Sequence, residues 1–100
     1  MNNLTNQEKN KIVDDILKTV DNIHIVIESP NYVRKYGDIN YELEIPDNTQ
    51  LKFFLIGSRE RFRKILLVDW LNDYFTPSQI QDITNTLSIV RQKISELFTN

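Results

Sequence analysis

Apolar residues near the start of the chain recur at helical spacing. Ile12, Val13, Ile16, Leu17 and Val20 fall on one helical face, with Lys11, Asp14, Asp15, Lys18 and Asp21 outside it. The stretch T-N-Q-E at 5–8 supplies a start: Thr5 can accept from the amide of Glu8, whose carboxylate can reach back to Thr5. The pattern predicts an amphipathic helix ending near Asn22.

The period then changes to two. In IHIVIES (23–29), Ile23, Ile25 and Ile27 alternate with His24, Val26 and Glu28, and Pro30 closes the run. DINYELEIP (38–46) sets Ile39, Tyr41, Leu43 and Ile45 against Asn40, Glu42 and Glu44. The turn formers Pro46, Asp47 and Asn48 follow, then QLKFFLIG (50–57), where Leu51, Phe53 and Leu55 repeat the alternation. Pairing Ile45 with Leu51 brings Glu44 opposite Lys52, a favourable cross-strand pair. Three strands are expected, the last two as a hairpin.

From Ser58 the helical period returns. Leu66, Leu67, Val68, Trp70, Leu71, Tyr74 and Phe75 share one broad arc, while Asp69, Asn72, Asp73 and Thr76 lie opposite. The competing strand, FRKILLVDW, does not alternate, so a helix is expected over 58–75. Thr76, Pro77 and Gln79 then form a second capping box with proline at the first helical position. Ile80, Ile83, Leu87, Val90, Ile94 and Leu97 make a narrow stripe behind it.

The resulting order is α-β-β-β-α-α. It predicts a single two-layer α+β domain over residues 1–100, with a three-stranded antiparallel sheet covered by amphipathic helices. The outer sheet face would carry His24, Val26, Glu42, Phe54 and Ile56.

Composition narrows the chemistry. With no cysteine, disulfides, thiolate nucleophiles and thiolate metal sites are excluded, and a reducing compartment is expected. The polar start MNNLTNQEKNK has no apolar signal core, and FFLI and ILLV are far too short to span a bilayer, so the expected location is cytoplasmic. Abundant Ile and Asn with scarce Gly and Pro is the composition of AT-rich coding DNA, such as that of bacteria, phages and mobile elements.

No motif points to catalysis, a cofactor or a metal. Gly37 and Gly57 are too far apart to cradle phosphate, and His24 is the only histidine. Asp69 and Asp73, one helical turn apart, read as a solvated face rather than a cation site. Ser58 and Ser78 read as residues at helix N-termini.

Two exposed features remain. The loop SPNYVRKYGD (29–38) interleaves Tyr32, Arg34, Lys35 and Tyr36, residue types that combine stacking with charge at binding surfaces. The second is GSRERFRKIL (57–66), which places Arg59, Arg61, Arg63 and Lys64, four of twelve cations, within six residues. With a helix starting at Ser58 these cations would oppose its dipole, so a role in contact with acidic groups is expected. Arg59 and Arg63 project together and Arg61 and Lys64 elsewhere, a collar rather than one phosphate-tracking face.

The reading is therefore a small non-enzymatic interaction protein, of the inhibitor, immunity or regulatory-adaptor kind, docking on a protein partner through these eight residues. A second copy of the chain is one such partner; no membrane or cofactor is implied. The alternative is a nucleic-acid-binding regulator using the 32–36 loop and the 59–64 cluster.

Overall fold

The computed structural model of the chain describes residues 4–28, 31–37 and 47–99. Among them there are four helices and no strand: α1 (Asn6–Glu28), α2 (Asn48–Ile65), α3 (Leu71–Tyr74) and α4 (Pro77–Phe98). The expected α+β domain is thus corrected to an all-helical one. The expected strand over 38–46 lies outside the described residues.

Both predicted capping boxes are present. The Thr5 amide donates to Glu8 Oε1 at 3.0 Å and the Glu8 amide to Thr5 Oγ1 at 3.1 Å. Thr76 and Gln79 exchange the same pair of bonds at 2.9 and 3.1 Å, ahead of Pro77.

α1 does not stop at Asn22. Its apolar face continues in helical register through Ile16, Leu17, Val20, Ile23 and Ile27, so the alternation at 23–27 is a by-product of an isoleucine-rich helix. Burial of Ile23 against the other helices outweighs the β preference of Ile and Val, whose intrinsic helix penalty is only a few tenths of a kcal/mol per residue.

The predicted third strand is the first half of α2. Asp47 is not a hairpin turn residue but the N-cap, accepting from the Gln50 amide at 2.8 Å. Leu51, Phe54, Leu55, Ser58, Phe62 and Ile65 then lie on one helical face. Phe53 and Leu55 decide the matter: a strand puts them on one face, whereas here Leu55 is 0 % and Phe53 69 % exposed. Gly57, the end of the expected strand, is an exposed mid-helix residue with nothing within 4 Å of where a Cβ would sit.

The helix expected over 58–75 is also corrected. α2 ends at Ile65, and the amides of Leu67 and Val68 bond to the carbonyls of Lys64 and Ile65, tightening the chain into turns before the single turn of α3. Leu67, expected on the apolar arc, is 85 % exposed.

α2 and α4 are antiparallel: Lys52 at the start of α2 has its ammonium 4.8 Å from the ring centre of Phe98 at the end of α4, while Arg59 and Arg63 share a cleft with Arg91. The core joins Ile16, Leu17, Val20 and Ile23 of α1 to Leu55, Phe62 and Ile65 of α2, Phe75, and the α4 stripe Ile83, Leu87, Val90 and Ile94. Three buried hydroxyls sit between helices at no unpaired cost, because each donates back to the carbonyl four residues earlier: Thr19 to Asp15 and Thr86 to Asp82 at 2.7 Å, Ser58 to Phe54 at 2.8 Å. Ser58 is therefore a buried residue inside α2, not a helix start. Trp70 packs edge-on to Tyr74, and the Lys9 ammonium of α1 lies 5.6 Å from each ring centre.

Candidate functional site

Segment 31–37 is fastened to α1 and α4 by two carboxylates. Asp21, expected outside the apolar face because of its charge, is 0 % exposed. It accepts from the Tyr32 hydroxyl at 2.6 Å, the Lys35 amide at 3.1 Å and the Tyr36 amide at 2.6 Å, which satisfies its buried charge. The Tyr32 ring stacks on His24 with centroids 4.8 Å apart. Asp82 on α4 takes the Lys35 ammonium at 2.7 Å and the Tyr36 hydroxyl.

The electrostatics reflect these contacts. Burial pushes the Asp82 carboxyl up, but hydrogen bonds from Lys35 and Tyr36 and the Lys35 charge outweigh it and hold the group below its ordinary value. Burial raises the Tyr32 and Tyr36 hydroxyls, and the carboxylates they donate to raise them further. The hydrogen bond to Asp82 raises the Lys35 ammonium.

His24 is not isolated. Since the Thr86 hydroxyl donates its one proton to Asp82 O, the 3.2 Å contact between His24 Nε2 and Thr86 Oγ1 makes the imidazole the donor. Nδ1 lies 3.2 Å from Glu28 Oε2, without the alignment of a hydrogen bond. Among the described residues no group of three His, Asp or Glu side chains is placed to share a metal ion. Asp69 lies in the turn before α3, so it and Asp73 do not form the one-turn helical pair.

The basic cluster lies in the second half of α2 rather than at a helix start. Arg63 and Lys64 occupy its last turn, where the dipole favours cations, so the expected conflict with the helix dipole is absent. The four side chains divide as their spacing implies. Arg59 and Arg63 share a cleft of about 440 Å³ with Arg91, Ile94 and Ser95 of α4. Arg61 and Lys64 instead border a groove of about 630 Å³ between α1 and the end of α2. Its apolar wall includes Ile12 and Ile16 of α1, Ile65, Val68 and Trp70; Asp15 and Lys18 border it from the α1 side.

Of the eight residues singled out in the sequence, the structure commits Tyr32, Lys35 and Tyr36 to internal carboxylates. Arg34 is half-buried in the same segment. Arg59 and Arg63 reach Glu60 at 3.5 and 3.0 Å. Arg61 and Lys64 are exposed and make no ion pair among the described residues. Sequence reasoning missed Asp21, Asp82 and Arg91. Asp21 comes one turn after Leu17, on the edge of the apolar face, and that position was the available signal. Among the described residues no helix is long and apolar enough to cross a membrane. Comparison of the chain with protein-family models, curated proteins and solved structures gave no match.

Proposed function

We propose that this is a non-enzymatic docking module, of the inhibitor, immunity or regulatory-adaptor kind, whose groove between α1 and α2 receives an acidic amphipathic helix of a protein partner. The observation that carries this reading is the pairing of an apolar wall at Ile12, Ile65 and Trp70 with two exposed cations on the rim, Arg61 and Lys64, that make no ion pair among the described residues. A helix with one apolar and one acidic side matches both. Leu67, exposed on the turn that carries Val68 into the groove, extends the apolar surface outward. The nucleic-acid alternative loses support, because Tyr32, Lys35 and Tyr36 are engaged internally and the basic cluster is split between two surfaces.

The test uses Trp70, the only tryptophan, as a reporter inside the groove. Acidic amphipathic peptides should perturb its emission saturably, basic ones of the same apolar pattern should not, and Arg61→Glu with Lys64→Glu should abolish the response. The double reversal should shift folding stability by under about 1 kcal/mol, since exposed charges contribute little to folding. Binding to DNA or RNA that survives at about 150 mM salt, with an affinity–salt slope that falls by about one per cation removed, would replace the docking reading with the nucleic-acid one.

A further inference from the structure

On the other side of α2, Arg59 and Arg63 converge with Arg91 of α4 over the buried side chain of Ile94, with Ser95 at the margin. Like charges one turn apart on a helix repel, and the antiparallel neighbour adds a third guanidinium to the same cleft. Among the described residues, the acid in contact with them is Glu60, which is half-exposed and reaches Arg63 Nη1 at 3.0 Å and Arg59 Nε at 3.5 Å. The latter contact does not satisfy the donor: Arg59 Nε is buried without a hydrogen-bond acceptor among the described residues. Arg91 has no ion-pair partner among the described residues. Three cations, one shared carboxylate and an orphaned buried N–H therefore stand together in a chain whose net charge is −2.

We propose that Arg59, Arg63 and Arg91 form a receptor for a single phosphate group, as inorganic phosphate or the monoester of a small molecule or phosphorylated side chain. A tetrahedral dianion offers several acceptor oxygens to guanidinium groups arriving from two helices, and guanidinium forks match it by paired N–H···O bonds. The cleft, about 440 Å³ and open to solvent, has room for one such group together with the small molecule or side chain that carries it. This site is separate from the groove bordered by Arg61 and Lys64, and it stands or falls independently of the docking function proposed above.

The experiment measures thermal unfolding and calorimetric binding with inorganic phosphate, O-phosphoserine and chloride at matched ionic strength, on wild type, Arg91→Gln, Arg63→Gln and Arg61→Gln. Phosphate, the phosphomonoester or both should bind saturably and raise the melting temperature, with the tighter of the two naming the source. Arg91→Gln and Arg63→Gln should weaken binding about tenfold or more, as loss of a charge-assisted contact requires, while Arg61→Gln should leave it unchanged. Arg91 is exposed, so its variant keeps the fold, and unaltered circular dichroism checks this. A response that chloride reproduces, no saturable response to either phosphate compound, or equal binding by Arg91→Gln would each overturn the proposal. So would single-stranded DNA binding far more tightly than either compound with a salt slope of several units, since that requires many phosphate contacts.

Discussion

The backbone amide of Tyr36 donates to Asp21 Oδ2 over 2.6 Å, joining two residues fifteen positions apart through a carboxylate closed off from water. Asp21→Ala would leave two amides and the Tyr32 hydroxyl without their acceptor. It should destabilise the fold by roughly 3 kcal/mol or more, since each buried polar group left unpaired costs about 1–3 kcal/mol. Asp21→Asn keeps one acceptor oxygen and should cost less. Urea unfolding of both variants measures the difference; an Asp21→Ala midpoint equal to wild type rules out the fastening role.

The second carboxylate predicts acid sensitivity. Asp82 is held below its ordinary value of 3.8 in the folded protein, so its contribution to stability is present above about that pH and is lost as the pH falls through the lower, folded value. In Asp82→Asn the stability curve should be flatter across this acidic window. Melting temperatures of the two proteins from neutral to strongly acidic pH should converge at the acid end.

Alkali should act through the tyrosines. Tyr32 and Tyr36 ionise above their ordinary value of 10.0 in the fold, so the stability they confer is intact below that pH and declines as the pH rises toward the folded values. Phenolate absorbance in the native protein should show a late-titrating component from Tyr32 and Tyr36, and Tyr32→Phe should diminish it. A Tyr32→Phe titration curve that keeps the whole late component would contradict the arrangement.

Gly57 and Phe53 test the helical reading of 50–57. Gly57→Ala should stabilise by about 0.5–1 kcal/mol, because the added methyl meets nothing and glycine weakens a helix interior. Phe53→Ser should lie within about 0.5 kcal/mol of wild type, whereas Phe62→Ala, in the core, should cost about 3–5 kcal/mol. A strand would reverse the Phe53 result.

Leu87→Ala should cost about 2–5 kcal/mol by opening a cavity in the α4 stripe. A neutral outcome in thermal unfolding would mean that the stripe does not face the core.

The sequence by itself determined the features whose causes are local. Thr5 with Glu8 and Thr76 with Gln79 close their hydrogen bonds within one helical turn, and the α4 stripe has a single period, so both helix starts and the α4 face were readable. The division of the basic cluster into Arg59 with Arg63 and Arg61 with Lys64 was also readable, being a matter of angle around one helix. Tertiary structure decided the rest. The apolar residues at 23–27 and 51–55 offer both a period of two, through Ile23, Ile25 and Ile27 and through Leu51, Phe53 and Leu55, and a helical face, through Ile23 and Ile27 and through Leu51, Phe54 and Leu55; only burial of Ile23 and Leu55 beside exposure of Phe53 selects the helix. Asp47 suits a hairpin turn and an N-cap equally, and the packing of Leu55 and Phe62 into the core resolves the choice in favour of the cap. The partners of Asp21 and Asp82 and the cleft neighbours of Arg91 lie on other elements, some more than forty residues away, so their roles depend on how the helices pack rather than on any spacing along the chain.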